Sequence, residues 1–155
     1  MCNLYSVTKG QQAIRELAGA MRDRTGNLPP LPGIFPDYAA PIVRNQPDGR
    51  ELTMARWGIP SPVFVLKGKK SDLGVTNVRN VKSPHWRRWL GVESRCVVPF
   101  TSFSENEALP DGTHPPVWLH STRRGHLLSS RASGHAGPPS ERGRKARRRT
   151  TFSRS

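Results

Sequence analysis

The second residue of the chain is a cysteine, Cys2, directly after the initiator methionine. A small second residue permits removal of Met1, which leaves an α-amine and a thiol two carbons apart, a 1,2-aminothiol. The amine has a reference pKa of about 7.7 and the thiol of about 8.5, so both nucleophilic forms are accessible near neutral pH. An aldehyde meeting this pair forms a Schiff base with the amine, and the thiol then closes a five-membered thiazolidine. Taken alone, a cysteine at position 2 reads as incidental, so other residues have to carry the case. The remaining cysteine, Cys96, sits in an apolar run and is expected to be a buried, inert thiol.

Such a nucleophile needs a scaffold, and the sequence outlines one. Residues 3–7 alternate like a short strand, and Thr8 is a plausible N-cap for a helix over 9–21 with Ile14, Leu17 and Met21 at helical spacing. From 27 to 47 the chain is rich in proline, at 29, 30, 32 and 36 among others, which predicts an ordered, extended surface segment. Residues 52–57 read as a strand followed by a turn over 58–62. Residues 84–90 read as one or two helical turns carrying Trp86 and Trp89, three apart and better placed in a core than on a stacking platform. Residues 95–100 form an apolar strand leading into 101–106, and another strand begins at 116–118. Short strands with few helices predict an α+β fold with a curved, mainly antiparallel sheet or barrel.

Composition narrows the partners. The 155 residues hold 25 Lys and Arg against 11 Asp and Glu, a formal net charge of +14, which favours an acidic partner, nucleic acid foremost. No apolar run reaches the roughly eighteen residues of a membrane span, and the start lacks the basic-then-apolar pattern of a signal peptide, so a cytosolic protein is expected. Two cysteines are too few for a disulfide framework or a cysteine-based zinc site, and no metal or cofactor is expected. The charge is uneven. Residues 1–118 carry 15 basic and 10 acidic side chains, whereas 119–155 carry 10 basic and one acidic and are dominated by Arg, Ser, Gly and Pro. Residues 1–118 therefore read as the domain, and 119–155 as a disordered basic tail unable to bury a core.

The opening MCNLYS is followed, in order, by MARWGIPSP (54–62), TNVRN (76–80), SPHWRRWLG (83–91), RCVVPFTSFSEN (95–106) and PPVW (115–118). Together these resemble the SOS response-associated peptidase (SRAP) family, whose members crosslink to abasic sites in DNA. The resemblance implies that Cys2 captures the ring-opened sugar aldehyde of an abasic site in single-stranded DNA as a thiazolidine that shields the lesion from strand cleavage. It also implies self-removal of a short leader. Asn77 matches the family Asn that orients the N-terminal cysteine or the sugar, its amide able to donate and accept. Arg79, expected to share a strand face with Asn77, matches an Arg that holds DNA phosphate. Glu105 matches the acidic residue suited to proton transfer during Schiff-base formation and thiol closure. A turn Asn, a solvated Arg and a loop carboxylate are the plain alternatives. Arg87, Arg88, Lys67, Lys69, Lys70 and Lys82 supply positive charge for phosphates, and Trp57 could stack on an unpaired base. A monomer is expected.

Two departures stand out. Many family members have Gly-Arg after Met-Cys, where this chain has Asn3-Leu4. The family site also needs a downstream His, and His114, His120, His126 and His135 match no such motif. A frameshift would explain the tail: read one base earlier, with permitted synonymous codons, residues 120–154 can encode a strand-rich continuation containing Ala-Phe-Phe-Ala-Gly-Ile-Trp. The expected domain is then incomplete at its C-terminus, and the nucleotide sequence of those codons decides the matter. Two other functions compete with a covalent DNA-processing enzyme of the SOS response: a non-catalytic nucleic-acid binder using the basic run 142–149, with strong salt dependence, or an inactive fragment.

Overall fold

In the computed structural model, residues 4–120 and 127–133 are described. Among the described residues, nine strands and two short α-helices make an α+β fold. Strand β1 (Leu4–Val7) pairs antiparallel with β3 (Leu31–Ile34) on one side and β7 (Ser102–Asn106) on the other, and β8 (Pro116–His120) extends β7, giving a four-stranded sheet in the order β3-β1-β7-β8. A five-stranded sheet has the order β2-β5-β4-β6-β9, built from β2 (Arg22–Asp23), β4 (Ala39–Gln46), β5 (Gly49–Arg56), β6 (Arg95–Phe100) and β9 (Leu128–Ser133). Among the described residues, only the β2–β5 pair is parallel. As far as the described residues go, the two sheets are open and do not close into a barrel.

The chain passes from one sheet to the other at Thr101, between β6 and β7. That corner is held by hydroxyls. The Thr101 amide donates to the Ser6 carbonyl at 2.8 Å, the Ser6 hydroxyl lies 2.9 Å from Thr101 Oγ1 and 2.7 Å from Ser102 Oγ, and the Thr8 hydroxyl donates to Thr101 Oγ1 at 3.2 Å. Buried hydroxyls cost free energy unless bonded, and here each finds a partner. Thr8 is therefore spent on the sheet corner rather than on capping a helix. Helix α1 (Gln11–Ala18) starts after Gly10 and ends where Gly19 turns left-handed, its amide bonding back to the Arg15 and Glu16 carbonyls. This corrects the expected helix over 9–21 capped by Thr8. Of its expected apolar face, Ile14 is fully buried, while Leu17 and Met21 are 48% and 72% exposed.

The main core joins Ile14 to Tyr5, Val7, Ile34, Val43 and Leu52, with Trp57, Phe100 and Phe103 packed against it. The proline-rich segment is corrected as well: it contributes β3 and β4, and Ile34, Ala40 and Val43 lie in the core rather than on the surface. Pro41 is tolerated because β4 pairs with β6 only at Val43 and Arg44, so the missing amide interrupts no ladder on that side. The start of β8 is found where it is expected, at Pro116, and the strand runs on to His120. Beyond it, Leu127 packs on the core and Leu128–Ser133 pairs with β6 from Arg95 to Phe100. Two pieces of the segment expected to be tail thus carry structure. The basic run 142–149, His126 and His135 lie outside the described residues.

Cys96 lies in β6 between Arg44 of β4 and Ala132 of β9, and burial pushes its thiol up to about 11. At pH 8 only about one such thiol in a thousand is ionised. A disulfide reagent is therefore expected to titrate one thiol rapidly in the native protein, that of Cys2, and the second only after denaturation. Two fast thiols would show Cys96 to be accessible.

Candidate functional site

A second, smaller core lies outside the main one. Trp86, on the 3-10 turn Pro84–Trp86, and Trp89, on α2 (Arg87–Leu90), are buried with Ile59, and Val75, Val78 and Leu90 pack around them. The two indoles sit 6.0 Å apart, and the His85 ring meets both edge-on at 4.4 and 5.2 Å. The core position expected for Trp86 and Trp89 is the one observed. The His85 Nε2 lies 2.9 Å from the Pro60 carbonyl, tying this helical turn to the loop after β5.

This small core positions the loop that bears Asn77 and Arg79. Val78 is anchored against the indoles, and its neighbours Asn77 and Arg79 are both exposed. Residues 76–80 are loop, not strand, so the shared strand face is corrected: the two side chains are presented by flanking an anchor. A single antiparallel bridge closes the approach to this loop, with Ile59 and Val75 exchanging amide-to-carbonyl bonds of 2.9 and 2.7 Å. Asp72 braces it from inside. Its carboxylate accepts from the Ser61 amide and hydroxyl at 2.8 and 2.7 Å and from the Gly74 amide at 2.8 Å, while Arg56 donates to the Asp72 carbonyl and pairs with Asp37. Burial works to raise the Asp72 pKa, but the Ser61 and Gly74 bonds and the Arg56 charge outweigh it and hold the group below the ordinary carboxylate range. Sequence reading missed this brace, because Asp72 lies in a segment without periodicity.

Arg87 and Arg88 are exposed on α2, the Arg88 guanidinium 4.0 Å from the centroid of the Trp89 ring. A cation on that face is held without a carboxylate, which leaves its donors available to an anion. Trp57 is half-buried and meets Tyr5 edge to face at 5.0 Å. It therefore links β1 to the loop that begins two residues later at Ile59. Glu105 is half-buried in β7, opposite Val117 of β8 and next to Ser104, which pairs with Leu4. Cys2 lies outside the described residues. Among the described residues, no group of three or more His, Cys, Asp or Glu is placed to hold a metal, and no helix is long and apolar enough to cross a membrane.

An open two-sheet α+β fold with an exposed basic loop face is the class that this geometry defines. The profile of the SOS response associated peptidase (SRAP) family matches residues 1–132, and the chain belongs to that family. Membership associates it with the SOS response to DNA damage. Among solved structures it is similar to a protein from Bordetella bronchiseptica, at 19% identity and a TM-score of 0.51, covering 84% of this chain and 70% of that one. It is also similar to a phage-related protein from the same organism, at 17% identity and a TM-score of 0.58, covering 90% of this chain and 65% of that one. These likenesses establish the fold. No curated protein matches.

Proposed function

We propose that the protein captures abasic sites in single-stranded DNA through Cys2. The observation that carries this reading is the register of β1. Leu4 pairs with Ser104, beside Glu105, and Cys2 is only two residues upstream, so chain connectivity keeps its Cα within about 7.6 Å of that of Leu4. That tether keeps the proposed nucleophile within a short reach of β7, the strand that carries Glu105. Family membership and the exposed Asn77–Arg79 loop support the same reading.

The chemistry balances without a cofactor. Hydrolysis removes Met1 and frees the Cys2 amine. That amine adds to the aldehyde carbon, and the carbinolamine loses one water to give an imine. The thiol sulfur then adds to the imine carbon while its proton passes to nitrogen, closing the thiazolidine. Glu105 moves the protons, Asn77 orients the aminothiol or sugar through its amide, and Arg79 holds a flanking phosphate, with Arg87 and Arg88 adding to the positive field. Trp57 stacks on an unpaired base with whatever ring surface its contact with Tyr5 leaves open. The same nucleophile accounts for removal of a short leader by self-processing.

The test is a time course with single-stranded DNA bearing one abasic site, read on a denaturing gel. Glu105→Gln is expected to slow adduct formation by about a hundredfold or more while changing non-covalent affinity less than twofold. An unchanged rate removes Glu105 from the proton path. DNA binding with no adduct from the wild-type chain would instead favour a non-catalytic nucleic-acid binder.

A further inference from the structure

Among the described residues, Asp37 is the one residue other than glycine whose backbone is left-handed, with φ at +72°. A Cβ makes that conformation costly, and a glycine would relieve it. The side chain gives the reason for an aspartate there. Asp37 is buried, and its carboxylate pairs with Arg56, whose own side chain is 15% exposed. The same guanidinium donates through Nη2 to the Asp72 carbonyl. A cation held this far inside is spent on protein partners rather than on phosphate. Buried ion pairs contribute little net stability relative to packed apolar side chains, so a strained backbone and a buried charge in one contact point to function.

The pair joins two loops. On one side lies the turn 35–38 between β3 and β4. The Asp37 amide donates to the Trp57 carbonyl at 2.8 Å, and the Trp57 amide donates to the Tyr38 carbonyl at 2.9 Å. This turn reaches the start of β1: a Cβ on Gly33 would meet the Phe35 ring at 3.6 Å and the Leu4 side chain at 3.7 Å, so the two converge over that glycine. On the other side, Asp72 stands five residues before Asn77 and seven before Arg79. Its carboxylate is fixed by Ser61 and Gly74, and its main chain by Arg56.

We infer that Arg56 is a positioning residue for the proposed reaction: by bridging Asp37 and the Asp72 carbonyl, it sets the Asn77–Arg79 loop against the start of β1, where Cys2 enters. This rests on the reading of Cys2, Asn77 and Arg79 given above and adds a residue that acts only through others. A displacement of about 1 Å can cost a reaction about a hundredfold. The planar guanidinium, with Nε on one loop and Nη2 on the other, fixes their separation. An ammonium is a single point charge, which pairs with Asp37 and lets the Asp72 carbonyl go.

The test compares full-length chains in single-turnover adduct formation on single-stranded DNA with one abasic site. DNA concentration is varied so that the saturated rate and the half-saturating concentration separate. Arg56→Lys is expected to lower the saturated rate at least about tenfold and to leave the half-saturating concentration within about threefold. Trypsin cleavage after Arg79 and Lys82 is expected to quicken about tenfold in the same variant. Asp37→Asn tolerates the left-handed backbone and loses the charge, so it is expected to give the same pattern. Ile14→Val, in the main core, is the control: it is expected to lower the melting temperature with the saturated rate unchanged. A folded Arg56→Lys with a saturated rate within twofold of wild type overturns the inference, as does an equal rate loss in Ile14→Val. Should Arg56→Lys not fold, Asp37→Asn is judged by the same limits. A wild-type chain that forms no adduct fails the reading of Cys2 alone; equal cleavage after Arg79 and Lys82 in wild type and Arg56→Lys then overturns the role of Arg56.

Discussion

Incubated with single-stranded DNA bearing an abasic site, the Cys2→Ala protein is expected to give no adduct that survives denaturation, a loss of at least about a hundredfold against wild type. The substitution keeps the α-amine and removes only the sulfur. An imine can therefore still form, but it hydrolyses when the protein unfolds, whereas the thiazolidine carbon is held by both nitrogen and sulfur. Borohydride added before denaturation is expected to trap that imine in Cys2→Ala, which separates a missing thiol from a missing amine. A short fused N-terminal tag blocks the amine and is expected to abolish both products unless the chain removes it. Non-covalent affinity should change less than twofold, because one small side chain at a terminus contributes little to phosphate contacts. An adduct at wild-type yield in Cys2→Ala would sink the proposed chemistry, whatever the family membership.

The parts of the fold that sequence made legible are those where local signals and tertiary packing agree. Strand β6 spans Arg95–Phe100 as its apolar run predicts, and Trp86 and Trp89 are buried as their spacing in a short helical turn implies. The misreadings share a cause, which is that a distant partner claims a residue with a strong local preference. Thr8 has the chemistry of an N-cap, but Thr101, 93 residues on, takes its hydroxyl. Prolines argue against sheet, but Pro41 sits where β4 has no neighbour on one side. Met21 has helical spacing, but Gly19 ends the helix two residues earlier and the Met21 amide bonds to the Arg50 carbonyl of β5. For the candidate site, motif order nominates Asn77, Arg79 and Glu105, yet nothing in a linear pattern reveals that Val78 is the anchor presenting two of them. The inward Asp72 was equally hidden, since a loop has no period to read.

If that anchored presentation matters, the most damaging small change lies at Gly74. Its φ is +75°, and a Cβ there would meet the Gly58 Cα at 2.9 Å and the Gly58 carbonyl carbon at 3.1 Å. Both obstacles are backbone, next to the Ile59–Val75 bridge, so relief requires the two strands of the bridge to part. Gly68 supplies the control. Its φ is +76°, but a Cβ there meets nothing within 4 Å, so Gly68→Ala carries only the conformational penalty of about 1 kcal/mol. Gly74→Ala is expected to carry that plus the cost of opening the bridge, about 3 kcal/mol in all. Limited trypsin digestion at Arg79 and Lys82 reads the difference, since local opening exposes the loop without global unfolding. Cleavage should accelerate about a hundredfold in Gly74→Ala and less than tenfold in Gly68→Ala, with adduct formation slowed in the first by displacement of Asn77 and Arg79. Equal cleavage rates in the two variants would mean that the Gly58–Gly74 contact does not hold the loop.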